Sequence, residues 1–159
     1  MVAPKDVVTG VFYTQNTQRA VIPLGVEGPL GDEVIISGLI YRDSSLTGSP
    51  VGTFDTITTT TSVGDVTERR LVLVELEFNK KYAKRSWISE LRGPFKKLKQ
   101  PAELSLSGVE TFPLGGGILE GPINLGVSSG IGPFAGVEGT ASIAYDQVSK
   151  LFTFRVNLV

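Results

Sequence analysis

The sequence contains no histidine and no cysteine. Their absence excludes disulfides, thiolate nucleophiles and Cys/His zinc sites, and with them Ser-His-Asp and Cys-His catalysis. Chemistry therefore falls to carboxylates, tyrosine, lysine, arginine, amides, hydroxyls or the shape of a pocket. Glu110 is the leading carboxylate. It alternates in step with Leu104, Leu106, Gly108 and Phe112, so on a strand it shares their face. If that face lines an interior, a desolvated carboxyl there suits general acid/base work; a bend near Gly108 would instead turn it to solvent. Asp55, between Phe54 and Thr56 in a Thr-rich stretch, is either a second pocket acid or an outer-wall residue, because strand parity leaves its direction open. Tyr41 ends the run Leu39-Ile40-Tyr41. Its ring suits packing, and its hydroxyl could donate to a substrate oxygen. Glu75 and Glu77 share a face with Leu71 and Leu73; two acids so placed more often lie on an outer face or subunit interface than in an acid/base or metal pair. The glycines at 115–117 and 126–139 lack the Gly-Lys-Ser/Thr ending and the strand-to-helix setting of a phosphate loop, and read as turns between short strands. No cofactor or metal is expected.

These groups must be positioned by strands. The chain has 159 residues, one domain by length, and 41% of them are apolar. Val, Ile and Thr supply about a quarter of the sequence and 19 residues are glycine, a mixture that favours strands and tight turns. Apolar residues recur with period two over residues 6–15 (with 19–24 as a continuation), 33–43, 51–61, 69–79, 102–112, 137–145 and 151–159, and a shorter glycine-punctuated strand is expected at 118–125. In 69–79, Val72, Val74, Leu76 and Phe78 form one wholly apolar face. No strand–helix alternation appears, which argues against a parallel sheet. About eight antiparallel strands close naturally into a barrel, and closure removes exposed edges. Such a barrel is either filled by its own side chains or holds one small ligand.

Three stretches, in this order, carry a family resemblance. Residues 30–41 read Leu-Gly-Asp-Glu-Val-Ile-Ile-Ser-Gly-Leu-Ile-Tyr; residues 48–53 read Gly-Ser-Pro-Val-Gly-Thr; residues 126–139 read Gly-Val-Ser-Ser-Gly-Ile-Gly-Pro-Phe-Ala-Gly-Val-Glu-Gly. Together they resemble the allene oxide cyclase-like and dirigent-like barrels, over roughly residues 11–158 apart from a basic insert. The resemblance implies an all-β fold: an eight-stranded antiparallel β-barrel, dimeric or trimeric, with an apolar cavity that binds a lipophilic small molecule and steers a cyclisation or coupling. Bacterial members include barrels that guide Diels–Alder-type ring closures and a demethylase of phenazine pigments. The motif alignment places Glu110 where the plant cyclases have a pocket tyrosine, and matches Asn16 to an asparagine of their first strand. It also places Thr14 where they carry a glutamate and Thr58 where they carry a cysteine, so the plant mechanism is not expected here. The disulfide of dirigent proteins is impossible in this chain.

The net charge of −1 conceals an asymmetry. Residues 80–100 hold eight of the fifteen basic residues (Lys80, Lys81, Lys84, Arg85, Arg92, Lys96, Lys97, Lys99) against one acid, Glu90. That segment carries +7 and the remainder −8. A short helix is expected at 82–91, ended by Gly93-Pro94. Trp87 and Phe95 interleave with the cations and are costly to leave in water. The segment is thus either a lid over the barrel or a contact for another subunit, an anionic membrane surface or an acidic partner, where each cation near the membrane is worth about 1 kcal/mol. The acidic remainder argues against nucleic acid. No apolar run approaches the roughly 20 residues of a membrane-spanning helix. The N-terminal residues do not read as a signal peptide, and compartment is left open. Two functional readings follow. One is a cyclase or isomerase whose cavity folds the substrate, with Glu110, Tyr41, Asn16 and Asp55 supplying polarity. The other is a filled, non-catalytic barrel that docks on a membrane or larger complex through residues 80–99.

Overall fold

The computed structural model describes residues 6–24, 28–91, 101–114 and 121–159. Eight strands run in chain order round a closed barrel: β1 (Val8–Ile22), β2 (Glu33–Tyr41), β3 (Gly52–Val63), β4 (Thr67–Phe78), β5 (Ala102–Pro113), β6 (Ile123–Ile131), β7 (Gly139–Asp146) and β8 (Leu151–Leu158). Every neighbouring pair is antiparallel, and β8 returns to β1 to close the sheet. Strict alternation in β4 sorts its residues as expected: Val72, Val74, Leu76 and Phe78 point inward and Leu73, Glu75 and Glu77 outward.

The structure departs from the sequence reading in three places. The expected continuation holds, with Val8–Ile22 forming one strand, β1, but a bulge the sequence did not announce interrupts it between Asn16 and Gln18. The extra residue, Thr17, donates its hydroxyl to the Ser37 carbonyl, 3.2 Å away. A bulge inverts side-chain parity beyond it, so Asn16 and Arg19 both face inward. The sixth strand begins later than expected and runs through Gly126 and Gly130, which had read as turn residues; residues 115–120, which hold the other glycine run and the expected start of that strand, lie outside the described residues. Gly130 is needed because the 3-10 turn Gly132–Phe134 folds back on the strand: a Cβ there would sit 2.3 Å from the Phe134 carbonyl oxygen. Finally, the helix expected at 82–91 is two short pieces, α1 (Lys80–Ala83) and a 3-10 turn at Trp87–Glu90.

The barrel interior divides along its axis. One half is solid. Phe12 packs against Phe154 at 5.0 Å and against Phe78 at 5.3 Å by ring centroid, beside Ile40, Leu76, Leu104, Leu106 and Leu158, all buried. Residues 80–91 close this end. Ile88, Ala83 and Leu91 are buried, and the Trp87 indole lies parallel to Phe12 at 6.5 Å and edge-on to Phe78 at 5.8 Å. Among the described residues no helix is long and apolar enough to cross a membrane.

Candidate functional site: a half-open barrel cavity

The other half of the barrel is hollow, with a cavity of about 330 Å³. That lies at the lower end of the roughly 300–1,000 Å³ range of small-molecule sites. Its wall is mostly apolar: Val34 and Ile36 from β2, Phe54 from β3, Val72 and Val74 from β4, Phe112 from β5, Ile123 from β6, Ile143 from β7, and Phe152 and Phe154 from β8. These positions follow from period two in each strand, since residues opposite one another across a ladder share a face; Val34 faces Thr58, and Thr58 faces Val72. Polar groups are few: Asn16, Arg19, Thr56, Thr58, Arg70 and Tyr145.

Of the four residues proposed from sequence for catalysis, the structure brings Asn16 to the cavity wall and places the other three elsewhere. Tyr41 stands on the outer side of β2, opposite Tyr13 of β1 and next to inward-facing Ile40. Asp55 is exposed on the outer face of β3 and accepts a 2.6 Å hydrogen bond from the Ser37 hydroxyl. Glu110 keeps the parity read from sequence, but its carboxylate accepts the Asn124 backbone N–H at 3.0 Å. The β5–β6 ladder ends at the pair Ser107 and Gly126. Beyond it Glu110 substitutes for the missing strand partner, and the residue is not part of the cavity wall. Thr58, aligned with the cyclase cysteine, does line the cavity, whereas Thr14 is buried on the inner side of β1 outside that wall.

The basic segment divides likewise. Lys80, Lys81, Lys84 and Arg85 have exposed side chains. Trp87 turns inward, where its ring is enclosed by Phe12, Phe78 and Phe134 and its Nε1 donates to the Tyr82 hydroxyl at 3.2 Å. Burial of that indole inside the barrel end, rather than on a partner, is what its apolar area favours. Burial also pushes the Tyr82 phenol above its ordinary value of 10.0, with the Trp87 hydrogen bond acting in the opposite direction. Arg92, Phe95, Lys96, Lys97 and Lys99 lie outside the described residues. Among those described, no cluster of three acidic side chains stands ready for a metal ion.

The sequence reading missed the site's two cations, Arg19 and Arg70, and Glu68, the buried partner of Arg70. Glu68 and Arg70 continue the inward parity of Val72, Val74 and Leu76 toward the open half. Glu68 is 1% exposed and Arg70 9%. Arg70 Nη2 donates to Glu68 Oε1 in a buried ion pair, and the guanidinium carbon sits 5.0 Å from the Phe112 ring centroid, in cation–π contact. Extending the β4 alternation by two and four residues back from Val72 is the signal that finds both.

No protein-family model matches the sequence, and no curated protein matches it significantly. Solved structures do resemble it. A pyocyanin demethylase superposes with a TM-score of 0.67 at 16% identity, covering 96% of this chain and all (100%) of that one. A pterocarpan synthase dirigent protein gives a TM-score of 0.59 at 15% identity over 97% of this chain and 94% of that chain. A nonspecific heme-binding cyclase that catalyses a cycloaddition during neoabyssomicin biosynthesis gives 0.60 at 14% identity over 98% of this chain and 65% of that chain. At such identities the likeness defines a class by fold: this chain is an eight-stranded barrel of the kind shared by dirigent proteins, a cyclase and a demethylase, as the three sequence stretches led one to expect.

Proposed function

We propose that the protein is a small barrel cyclase or isomerase that takes a lipophilic substrate (polyene, fatty-acid-derived or polyketide-like) into the cavity and folds it toward ring closure or rearrangement. The observation that carries this reading is the half-open interior: one end is packed solid, while the other keeps about 330 Å³ bounded by aliphatic and aromatic side chains. A barrel serving as a scaffold has no need of that space. The likeness in fold to a cyclase and to dirigent proteins supports the same reading. With neither histidine nor cysteine in the chain, rate enhancement comes from holding reacting carbons in a near-attack geometry and excluding water, with Asn16, Arg19, Thr56, Thr58, Arg70 and Tyr145 as the polar groups within reach. Product analysis tests it. Linear polyenes of fatty-acid or polyketide type, incubated with the protein and followed by mass spectrometry, should yield a product of unchanged mass and altered retention. A product lighter by a methyl group or heavier by oxygen would replace isomerisation with demethylation or oxidation.

A second reading, an accessory barrel that docks on an anionic surface, draws on the exposed Lys80, Lys81, Lys84 and Arg85 around the plugged end. Flotation with liposomes containing anionic lipid, compared with neutral ones, tests it; equal recovery in both would remove it.

A further inference from the structure

The cavity's charge is at odds with the chain that builds it. The residues outside 80–100 sum to −8, yet two cations, Arg19 and Arg70, line the cavity and no carboxylate does among the described residues. Arg70 is the deeper of the two. One hydrogen bond, from Nη2 to Glu68, engages its five N–H donors among the described residues, and its Nε is buried without a partner. Glu110 is the residue opposite Arg70 in the β4–β5 ladder but bonds the Asn124 N–H instead. Phe112 covers one face of the guanidinium, leaving its edge as the route for a further contact. Beside it, one same-face step along the neighbouring strand, the Thr58 hydroxyl lines the same cavity and is also without a partner among the described residues. Buried donors left unpaired are expensive, and a guanidinium fork is the side chain best shaped to receive a carboxylate or similar oxygen pair.

We infer that the cavity's ligand carries an anionic oxygen group, a carboxylate or an acidic enol or phenol oxygen, on an otherwise apolar body, and that Arg70 with Thr58 receives it. Glu68 is the built-in counterion that keeps Arg70 neutralised while the cavity is empty, and its carboxylate competes with the ligand's. The inference rests on the ligand-cavity reading and adds the polarity and orientation of the ligand: its acidic end lies at the β3–β4 wall and its apolar end against Ile123, Ile143 and Phe152.

Calorimetric titration of the intact protein with decanoate and with 1-decanol tests it, because the two probes share a chain and differ in charge. Decanoate is expected to bind at least about tenfold more tightly, the ratio that a charge-assisted hydrogen bond supplies. Arg70→Gln should abolish that preference and leave 1-decanol within about twofold of its original affinity. Glu68→Gln, which keeps an acceptor for Nη2 but removes the competing charge, should tighten decanoate several-fold and leave 1-decanol unchanged. If Arg70→Gln does not fold because it strands Glu68, the double variant Glu68→Gln/Arg70→Gln removes both charges and should bind the two probes alike. Equal affinities for both probes in the native protein would overturn the anionic-ligand inference and leave the cavity reading standing. Failure of both probes to bind would overturn both readings, and binding of 1-decanol without decanoate would overturn the anionic-ligand inference alone. A decanoate preference that survives the loss of Arg70 would overturn the assignment to that residue.

Discussion

Gly10 lies on the inner face of β1, under the Trp87 indole. A Cβ at Gly10 would meet three ring carbons at 2.3, 2.5 and 2.6 Å, where ordinary carbon contacts lie at about 3.5–4.0 Å. The ring would have to withdraw by about 1 Å, and Phe12, Phe78 and Phe134 hold it in place. Gly10→Ala alone is therefore expected to destabilise the fold by about 1–3 kcal/mol, as overpacking of a filled core does. Trp87→Ala alone should cost about 3–5 kcal/mol, toward the lower figure because the indole is only half-buried. With the indole gone, Gly10→Ala meets no ring. The same substitution then stabilises by about 0.4–1 kcal/mol through the unfolded chain, since the Gly10 backbone lies outside the left-handed region. The double-mutant cycle should thus give a coupling of about 1.5–4 kcal/mol and a reversal of sign for Gly10→Ala. Urea unfolding of the four proteins, followed by circular dichroism, measures it. Costs that add to within about 0.5 kcal/mol would show that Trp87 is not the plug of the barrel.

Three further outcomes follow from the same geometry. Val74→Phe adds volume toward open space and should cost less than about 1 kcal/mol, whereas Leu104→Phe in the solid half should cost about 1–3 kcal/mol; comparable losses in thermal or urea unfolding would contradict the division of the interior. Because burial raises the Tyr82 phenol in the folded protein, the unfolded chain loses this proton first as pH climbs. The contribution to stability is complete below about pH 10 and declines as pH rises through the folded value. Absorbance titration should show a late-ionising phenol that is absent in Tyr82→Phe. Glu110→Ala removes the acceptor of the Asn124 N–H and should cost about 0.5–1.5 kcal/mol, while Glu110→Gln, which keeps an acceptor, should stay within about 0.5 kcal/mol by urea unfolding.

The strands were legible because period two survives almost everywhere, most clearly in β4, where one face is wholly apolar from Val72 to Phe78. The site was less so. Arg19 is hidden by the Thr17 bulge: counted without the extra residue, it falls on the outer face, and nothing in its neighbours announces the inversion. Glu68 and Arg70 were within reach of the same alternation that found Val72, but charged residues at a strand's start read as its solvated end. Glu110 shows the converse. Its parity was right, yet its carboxylate serves the sheet, because the β5–β6 ladder stops three residues short of it, and the length of a ladder depends on both strands. The emptiness of half the barrel depends on the side chains of all eight strands together, and period two does not carry it.

The central claim is that the open half of the barrel is a ligand cavity, and methyl-resolved NMR tests it directly. Titration with decanoate should move the methyl signals of Ile36, Val72, Val74, Ile123 and Ile143, which line the cavity. Those of Leu76, Leu104 and Leu106 and the indole N–H of Trp87, in the solid half, should stay in place. Movement confined to the solid half, or none at saturating decanoate, would contradict the account.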